Sequence, residues 1–284
     1  MDELRNIDFF NLESTIWIAN KVLNVPTYDF QFEPIFRTSR PRIENDVIVT
    51  GRIGAIDDYE NFYNNLLNYG FRLINSPKQH QFASELEFWY PHLKEFTPKS
   101  KVYEKFPSIA EFHDDFEFPV FIKGNRQTAK HNPELSVAKS ISDFHRISKA
   151  YQNDPILHWQ KIVIREFIEL KPMKVSAKDK VQISFEFRTF WWKQELVGAG
   201  HYWSQYLDYD WTADQKQEAI KIAKTAIQHL DVPFLVIDLA LTSENQWIII
   251  ECNDAQESGY CGVNPLSLWK EIVEIEKQNL PKNT

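Results

Sequence analysis

The stretch W-I-I-I-E-C-N-D-A-Q-E-S-G-Y-C-G, Trp247 to Gly262, decides how the rest of the chain is read. Trp247 to Ile250 form an apolar run of the kind found in strands covered on both faces. The run then ends in Glu251, Asn253 and Asp254, oxygen-bearing side chains where a sheet meets its edge. Ionised carboxylates are rarely buried without a partner, so this edge calls for something positive. Side chains alternate along a strand, which puts Glu251 and Asn253 on one face and Cys252 on the other.

Just upstream, Phe234 to Ala240 is a second apolar strand with one carboxylate, Asp238, and Thr242-Ser243-Glu244-Asn245 joins the two. A hairpin symmetric about Glu244 and Asn245 sets Asp238 opposite Glu251. Like charges directly opposed destabilise a sheet, and desolvating them adds to the penalty. A hard divalent cation answers both problems, because two carboxylates and the Asn253 amide oxygen supply three of the oxygens that Mg²⁺ prefers. The bland alternative leaves Glu251 solvated past the strand end and Asp238 held by backbone or an arginine.

Outward from this hairpin, Val47 to Thr50 reads as a strand, Tyr59 to Tyr69 as a helix closed by Gly70, Phe71 to Ile74 as a strand and Phe82 to Leu93 as a helix. Phe118 to Gly124 is a strand ending in Lys123 and Gly124, followed by a polar loop and a helix over 140–151. Ile162 to Leu170 is a strand, and Ile183 to Trp192 with Leu196 to Tyr202 forms a hairpin around Lys193-Gln194-Glu195. Thr212 opens an amphipathic helix with Gln215 placed for a capping box, and a last helix follows Asn264-Pro265. The order predicts an α+β body behind a small α/β unit, with the border at residues 115/116 and the body divided into 116–182 and 183–284.

With these residues in order, the chain resembles ATP-grasp enzymes, whose metal site pairs an acidic residue on one strand with Glu-x-Asn on the next. Val236 to Ala240 followed by Ile250-Glu251-Cys252-Asn253 is similar to that core. Pro119 to Gly124 resembles the strand bearing a phosphate-contacting lysine, Ile164 to Glu169 the hinge that holds adenine, and Glu186-Phe187-Arg188 the strand whose arginine reaches phosphate. Lys123, Arg165 and Arg188 together resemble a subgroup marked by one lysine and two arginines. The likeness spans roughly residues 116–270.

The resemblance implies an ATP-grasp fold, ATP and Mg²⁺ as cofactors, and a role for each matching residue. Lys123 contacts the phosphates and Arg188 steadies the transferred phosphoryl group, the two being the catalytic candidates. Backbone of Glu166, Phe167 and Ile168 meets adenine and Glu169 the ribose, while Arg165 serves either phosphate or a substrate carboxylate. Asp238, Glu251 and Asn253 hold the metal. The implied activity is an ADP-forming ligase that activates a small-molecule or peptide carboxylate as an acyl phosphate and joins it to an amine. The rivals are a phosphotransferase on the same fold and a nucleotide-binding module without turnover. A homodimer is compatible with the family. The loop after Lys123 departs from the glycine-rich pattern: residues 124–133 hold one glycine, so Arg126, Thr128 and Lys130 are the candidates for phosphate there.

The bulk numbers fit. The 284 residues are 43% hydrophobic and 25% charged, enough for a true core. A net charge of −8 argues against a nucleic-acid footprint over the whole surface. Two cysteines cannot build a disulfide framework and fit a reducing cytosol. The acidic N-terminus lacks an apolar signal core, and no apolar run approaches a membrane span of roughly 20 residues. Arg37 to Arg42 is a basic cluster, either a solvated loop or a capture point for an acidic substrate, which Arg52 could join. Gln256, Ser258 and Tyr260 are further candidates for contacting substrate. The histidines show no metal-ligand spacing, and there is no Gly-x-Ser-x-Gly or Gly-x-x-x-x-Gly-Lys-Ser/Thr motif.

Overall fold

The computed structural model describes residues 6–21, 30–36, 46–126, 133–154, 157–173 and 183–280. The first unit runs β1 (Ile7–Glu13), β2 (Ile16–Lys21), β3 (Val47–Ile53), α1 (Tyr59–Leu67), β4 (Phe71–Leu73). Its strands lie in the order β1-β2-β3-β4, with β1 antiparallel to β2 and the other two neighbouring pairs parallel. Phe62 and Leu66 of α1 pack with Val49, Phe71 and Leu73 of the sheet. The β1–β2 hairpin was not legible in the sequence: its Ser14-Thr15 turn lacks the Asn-Gly or Gly-containing signal that marks tight hairpins.

Two helices follow, α2 (Pro77–Ser84) and α3 (Leu86–Leu93), where a single helix over 82–93 was expected. Glu85 sits between them in extended conformation and ends one helix while starting the next. Ser76 and Gln79 form a capping box at the head of α2, with Pro77 at the first helical position.

Next come β5 (Ser100–Tyr103), α4 (Ile109–His113), β6 (Val120–Gly124), β7 (Val137–Ala138), α5 (Ile141–Tyr151) and β8 (Ile162–Glu166). The sheet order is β5-β8-β6-β7, antiparallel throughout. Val120 and Ile122 of β6, Ile162 and Ile164 of β8, and Phe144 and Ile147 of α5 share one core. β5 precedes residue 115 yet pairs with β8, so the border expected at 115/116 falls inside a sheet.

The last sheet has the order β10-β9-β11-β12, from β9 (Glu186–Trp192), β10 (Glu195–His201), β11 (Phe234–Leu241) and β12 (Trp247–Asp254), with α6 (Ala213–Ile227) and α7 (Pro265–Asn279). The β9–β10 turn at Lys193 and Gln194 has φ of 46° and 72°, the two positive values that a tight hairpin following the strand twist requires. β9 and β11 are buried at every position because the sheet is covered twice. Leu235, Ile237, Leu239 and Leu241 face α6, α2 and α3, while Phe234, Val236, Phe190 and Trp192 face α7 and the β1–β2 hairpin. Thr212 caps α6 with the expected box. Among the described residues no helix is long and apolar enough to cross a membrane.

Candidate functional site

The α7-facing side of this sheet is apolar at Phe234 and Val236 and then turns charged at Asp238, one strand step further along. There one transverse row crosses all four strands. Gly200 of β10 pairs with Arg188 of β9, Arg188 with Asp238 of β11, and Asp238 with Glu251 of β12. The expected apposition of Asp238 and Glu251 is therefore present, but it comes about differently. Near the turn the pairs are Leu241 with Trp247, Ala240 with Ile248 and Leu239 with Ile249, a ladder centred on Glu244 itself. The register then shifts between Asp238 and Leu239, and Ile250 is the extra residue of a β-bulge.

Two cations hold the two carboxylates. Arg188 donates Nε to Asp238 Oδ1 at 2.8 Å and Nη2 to Oδ2 at 2.7 Å, the bidentate fork of a strong ion pair. Its Nη1 donates to the Gly259 carbonyl at 2.9 Å, and its guanidinium lies 4.9 Å from the centre of the Tyr202 ring. Burial alone lowers the Arg188 pKa, and the Asp238 carboxylate more than offsets this, so the net direction is up. From the facing sheet, Lys123 Nζ reaches Glu251 Oε1 at 2.5 Å, with 3% and 15% of the two side chains exposed. Those low exposures place the pair inside the contact between the two sheets instead of at a solvated edge. Asn253 lies two residues beyond Glu251 and partly buried, in register with Val236.

Arg165 reaches the same place from β8. Its Nε donates to Ser100 Oγ at 2.9 Å and its Nη1 to the Ile250 carbonyl at 2.7 Å. Burial lowers its pKa to about 10, against the pull of Glu251. Its Nη2 is buried and has no hydrogen-bond partner among the described residues. The expected adenine hinge continues from the same strand. The Glu166 amide N–H donates to Lys99 O at 2.8 Å, so that donor is already used. Ser243 N donates to Glu169 O at 2.9 Å, tying the hinge to the tip of the β11–β12 hairpin, with Phe167 and Ile168 between the two anchors.

The loop after β12 folds back over the row. Gly200 has no Cβ because one would lie 2.3 Å from the Gly262 backbone, and Gly262 N donates to His201 O at 2.9 Å. This return brings the Gly259 carbonyl to Arg188. The side chains of Gln256, Ser258 and Tyr260, candidates for contacting substrate, are bonded within the chain. Gln256 accepts from Gly51 N and donates to Tyr59 Oη, both at 2.7 Å, and Ser258 donates to Asp254 O at 2.8 Å. Tyr260 accepts from Trp269 Nε1 at 2.7 Å and stacks under the Arg52 guanidinium. Arg52 clamps the loop by donating to Ala255 O and, at 2.8 Å, to Ser258 O. The basic cluster at 37–42 lies outside the described residues, as do Thr128 and Lys130.

A buried polar knot beside the row had no signal in the sequence. Asp254 accepts from Asn75 Nδ2 at 2.7 Å and sits 3.1 Å from His80 Nδ1. His80 stacks on Tyr59 at 3.8 Å. Arg126 Nη2 lies 3.3 Å from His80 Nε2 and 3.1 Å from Glu257 Oε2, and Arg126 Nη1 donates to Ile56 O at 3.2 Å. Arginine nitrogens only donate, so His80 Nε2 accepts and Nδ1 carries the proton towards Asp254. Arg126, a phosphate candidate from sequence, thus joins three parts of the chain. Desolvation raises the Glu257 pKa to about 6, with the Arg126 guanidinium opposing.

Chemically, the row offers oxygen donors and fixed cations at one point. Each Asp238 oxygen takes one bond from Arg188, and a carboxylate oxygen has a second lone pair to give. Arg188 makes three bonds with five N–H groups, which leaves it able to hold a further oxyanion while keeping Asp238. Two carboxylates and an amide suit a hard cation. Among the described residues no cluster of three His, Cys, Asp or Glu side chains is placed to hold a metal, so any metal site here depends on Asn253 and on oxygens from a ligand.

Comparison with known proteins identifies the family and the fold. The profile of an ATP-grasp domain family, the third of what is called the R-two-K clade, matches residues 78–272. No curated protein sequence matches the chain. Among solved structures, the D-alanine–D-alanine ligase from Bacillus anthracis, complexed with ATP, superposes with a TM-score of 0.56 at 12% identity, covering 82% of this chain and 78% of the other. The D-alanine–D-alanine ligase from Coxiella burnetii gives a TM-score of 0.57 at 10% identity, covering 82% and 68%. The N5-carboxyaminoimidazole ribonucleotide synthetase from Thermotoga maritima aligns at 15% identity with a TM-score of 0.48, over 74% of this chain. The chain spans about half, 51%, of that enzyme's length.

Proposed function

The chain belongs to the ATP-grasp domain family, and on that footing we propose that it is an ATP-dependent, ADP-forming ligase joining a carboxylate to an amine. The observation that carries the reading is the row Arg188–Asp238–Glu251, with Lys123 facing it from the other sheet.

ATP enters the cleft between β6 and β12, with its adenine against the segment 166–169 and its phosphates towards Lys123 and Arg188. Asp238, Glu251 and Asn253 would hold Mg²⁺, which when bound would offset charge on the phosphate oxygens. Lys123 exchanges Glu251 for a phosphate oxygen, and Arg188 keeps Asp238 on its side fork while its outer N–H groups steady the moving phosphoryl group. A substrate carboxylate oxygen attacks the γ-phosphorus, the bond to the β-phosphate oxygen breaks, and ADP leaves. The amine nitrogen then attacks the acyl carbon, loses a proton, and phosphate departs with its electron pair. The enclosing sheets keep water from the acyl phosphate.

The test is ADP release by the whole protein with Mg²⁺, ATP and panels of amino acids and short peptides as acid and amine. The reading expects ADP, phosphate and a new amide in equal amounts. A stable phosphorylated product would instead identify a phosphotransferase. Absence of ATP consumption with every panel member, despite tight nucleotide binding, would identify a binding module.

A further inference from the structure

We propose that Arg165 is a positioning residue: by holding the carbonyl of Ile250 it fixes the β-bulge that turns the Glu251 carboxylate into the cleft beside Asp238. The inference rests on the metal and nucleotide reading for its functional consequence, although the geometry stands by itself.

The ladder from the hairpin turn pairs Leu241 with Trp247, Ala240 with Ile248 and Leu239 with Ile249. Continued without interruption, it would pair Asp238 with Ile250 and Ile237 with Glu251. A slip of one residue sends each side chain to the opposite face. Glu251 would then enter the core formed by Ile237, Leu239 and Ile249, where Cys252 now sits fully buried. The bulge prevents this. Its mark is the burial along β12, alternating from Trp247 until Ile250 and Glu251, which are both partly exposed in succession before Cys252 is buried again.

A bulge disrupts the ladder locally, and here a side chain from the other sheet meets the bulged residue. Arg165 Nη1 donates to Ile250 O while Nε is held by Ser100 Oγ, so the planar fork is fixed at both ends. A lysine ammonium, a point charge on a flexible stem, does not reproduce that two-point hold. At 5% exposure the guanidinium is out of reach of bulk water, and the contact ties β8 to β12 at the residue preceding Glu251.

The chain has two cysteines, so Cys261→Ser leaves Cys252 as a single reporter. In that background the rate of Cys252 labelling by a small disulfide reagent reads the register without any nucleotide. Arg165→Lys is expected to label at least ten times faster with the helix and strand signal of circular dichroism retained, because the slip carries Cys252 towards the cleft. Deletion of Ile250 straightens the ladder yet leaves Glu251 opposite Asp238. In that deletion variant Arg165→Lys should therefore leave Cys252 protected. If Arg165→Lys does not accumulate as folded protein, Ser100→Ala, which frees one end of the fork, should give a smaller increase. Protection of Cys252 in the folded Arg165 and Ser100 variants, or equal exposure with and without Ile250, overturns the proposal.

A second arm compares the affinity for a non-hydrolysable ATP analogue in EDTA and in Mn²⁺. Arg165→Lys should lose at least tenfold of the metal-dependent tightening and change metal-free affinity less than threefold. Equal loss in both conditions would make Arg165 a phosphate ligand and overturn the positioning role. Failure of the parent protein to bind the analogue at all would count against the proposed function, while the thiol arm still decides the bulge.

Discussion

At the residue scale, the Arg188–Asp238 pair is almost wholly buried, with side-chain exposures of 7% and 1%. Removing one partner of such a pair leaves the other charged in a medium that cannot solvate it, which costs about 3–5 kcal/mol. Arg188→Met should lose stability on that order in urea titration, and the double variant with Asp238→Asn should recover much of it. Equal stability of Arg188→Met and the parent would mean that Asp238 is not held as a carboxylate. Gly200 acts through close approach. The Cβ of Gly200→Ala would lie 2.3 Å from the Gly262 backbone, so the returning loop must lift and the Gly259 carbonyl must leave Arg188. Overpacking of this kind costs about 1–3 kcal/mol, measurable as a lowered melting temperature, and activity should fall with it. Lys123, Arg188, Asp238 and Glu251 were each legible as site candidates, since a charge on an otherwise apolar strand stands out. An arginine on Asp238 was one of the two readings the sequence offered, whereas the pairing of Lys123 with Glu251, 128 residues apart, was not legible.

At the element scale, the β11–β12 hairpin shows how a sound conclusion can rest on an incomplete route. Symmetry about Glu244 and Asn245 put Asp238 opposite Glu251, but the turn is centred one half-step earlier and the bulge at Ile250 supplies the difference. Ile250 looks like any strand residue in sequence; only its neighbour on another sheet, Arg165, marks it out. In the loop 255–262 the polar side chains read either as ligand contacts or as a plain turn, and Gln256 there accepts from Gly51 N, 205 positions away. One member of that junction makes a pH prediction. Desolvation raises the Glu257 pKa from 4.5 to about 6 in the folded protein, so the folded state favours the protonated form. The stability this gives is complete below pH 4.5 and lost as pH rises through 6. The melting temperature of the parent should therefore fall across pH 4.5–6 relative to Glu257→Gln, and parallel curves would refute the assignment.

At the scale of the whole molecule, Lys123 and Arg165 of one sheet meet Glu251 and the Ile250 carbonyl of the last, and Arg52 of the first sheet holds the loop that follows β12. The central strands of the last sheet are sealed on both sides by apolar cores, so the row of charges sits on a rigid base. β5, α2 and α3 belong with that body, as the family match from residue 78 also indicates, although residues 1–115 read in sequence as one α/β unit. That border was hidden because β5 is four residues long and its partner β8 follows about sixty residues later. The fold class and the strands that carry the charged row were readable because each carries its own local pattern of apolar run and terminal charge. The junctions between units were not, because they are built from polar contacts distant in sequence.

The most direct measurement is calorimetric titration of the full chain with a non-hydrolysable ATP analogue, with and without Mg²⁺. The account predicts binding that tightens at least tenfold with Mg²⁺ in the parent, and loss of that tightening in Glu251→Gln and Asn253→Ala with the fold intact. Absence of binding at millimolar analogue, or Mg²⁺-dependent binding unchanged in both variants, would contradict it.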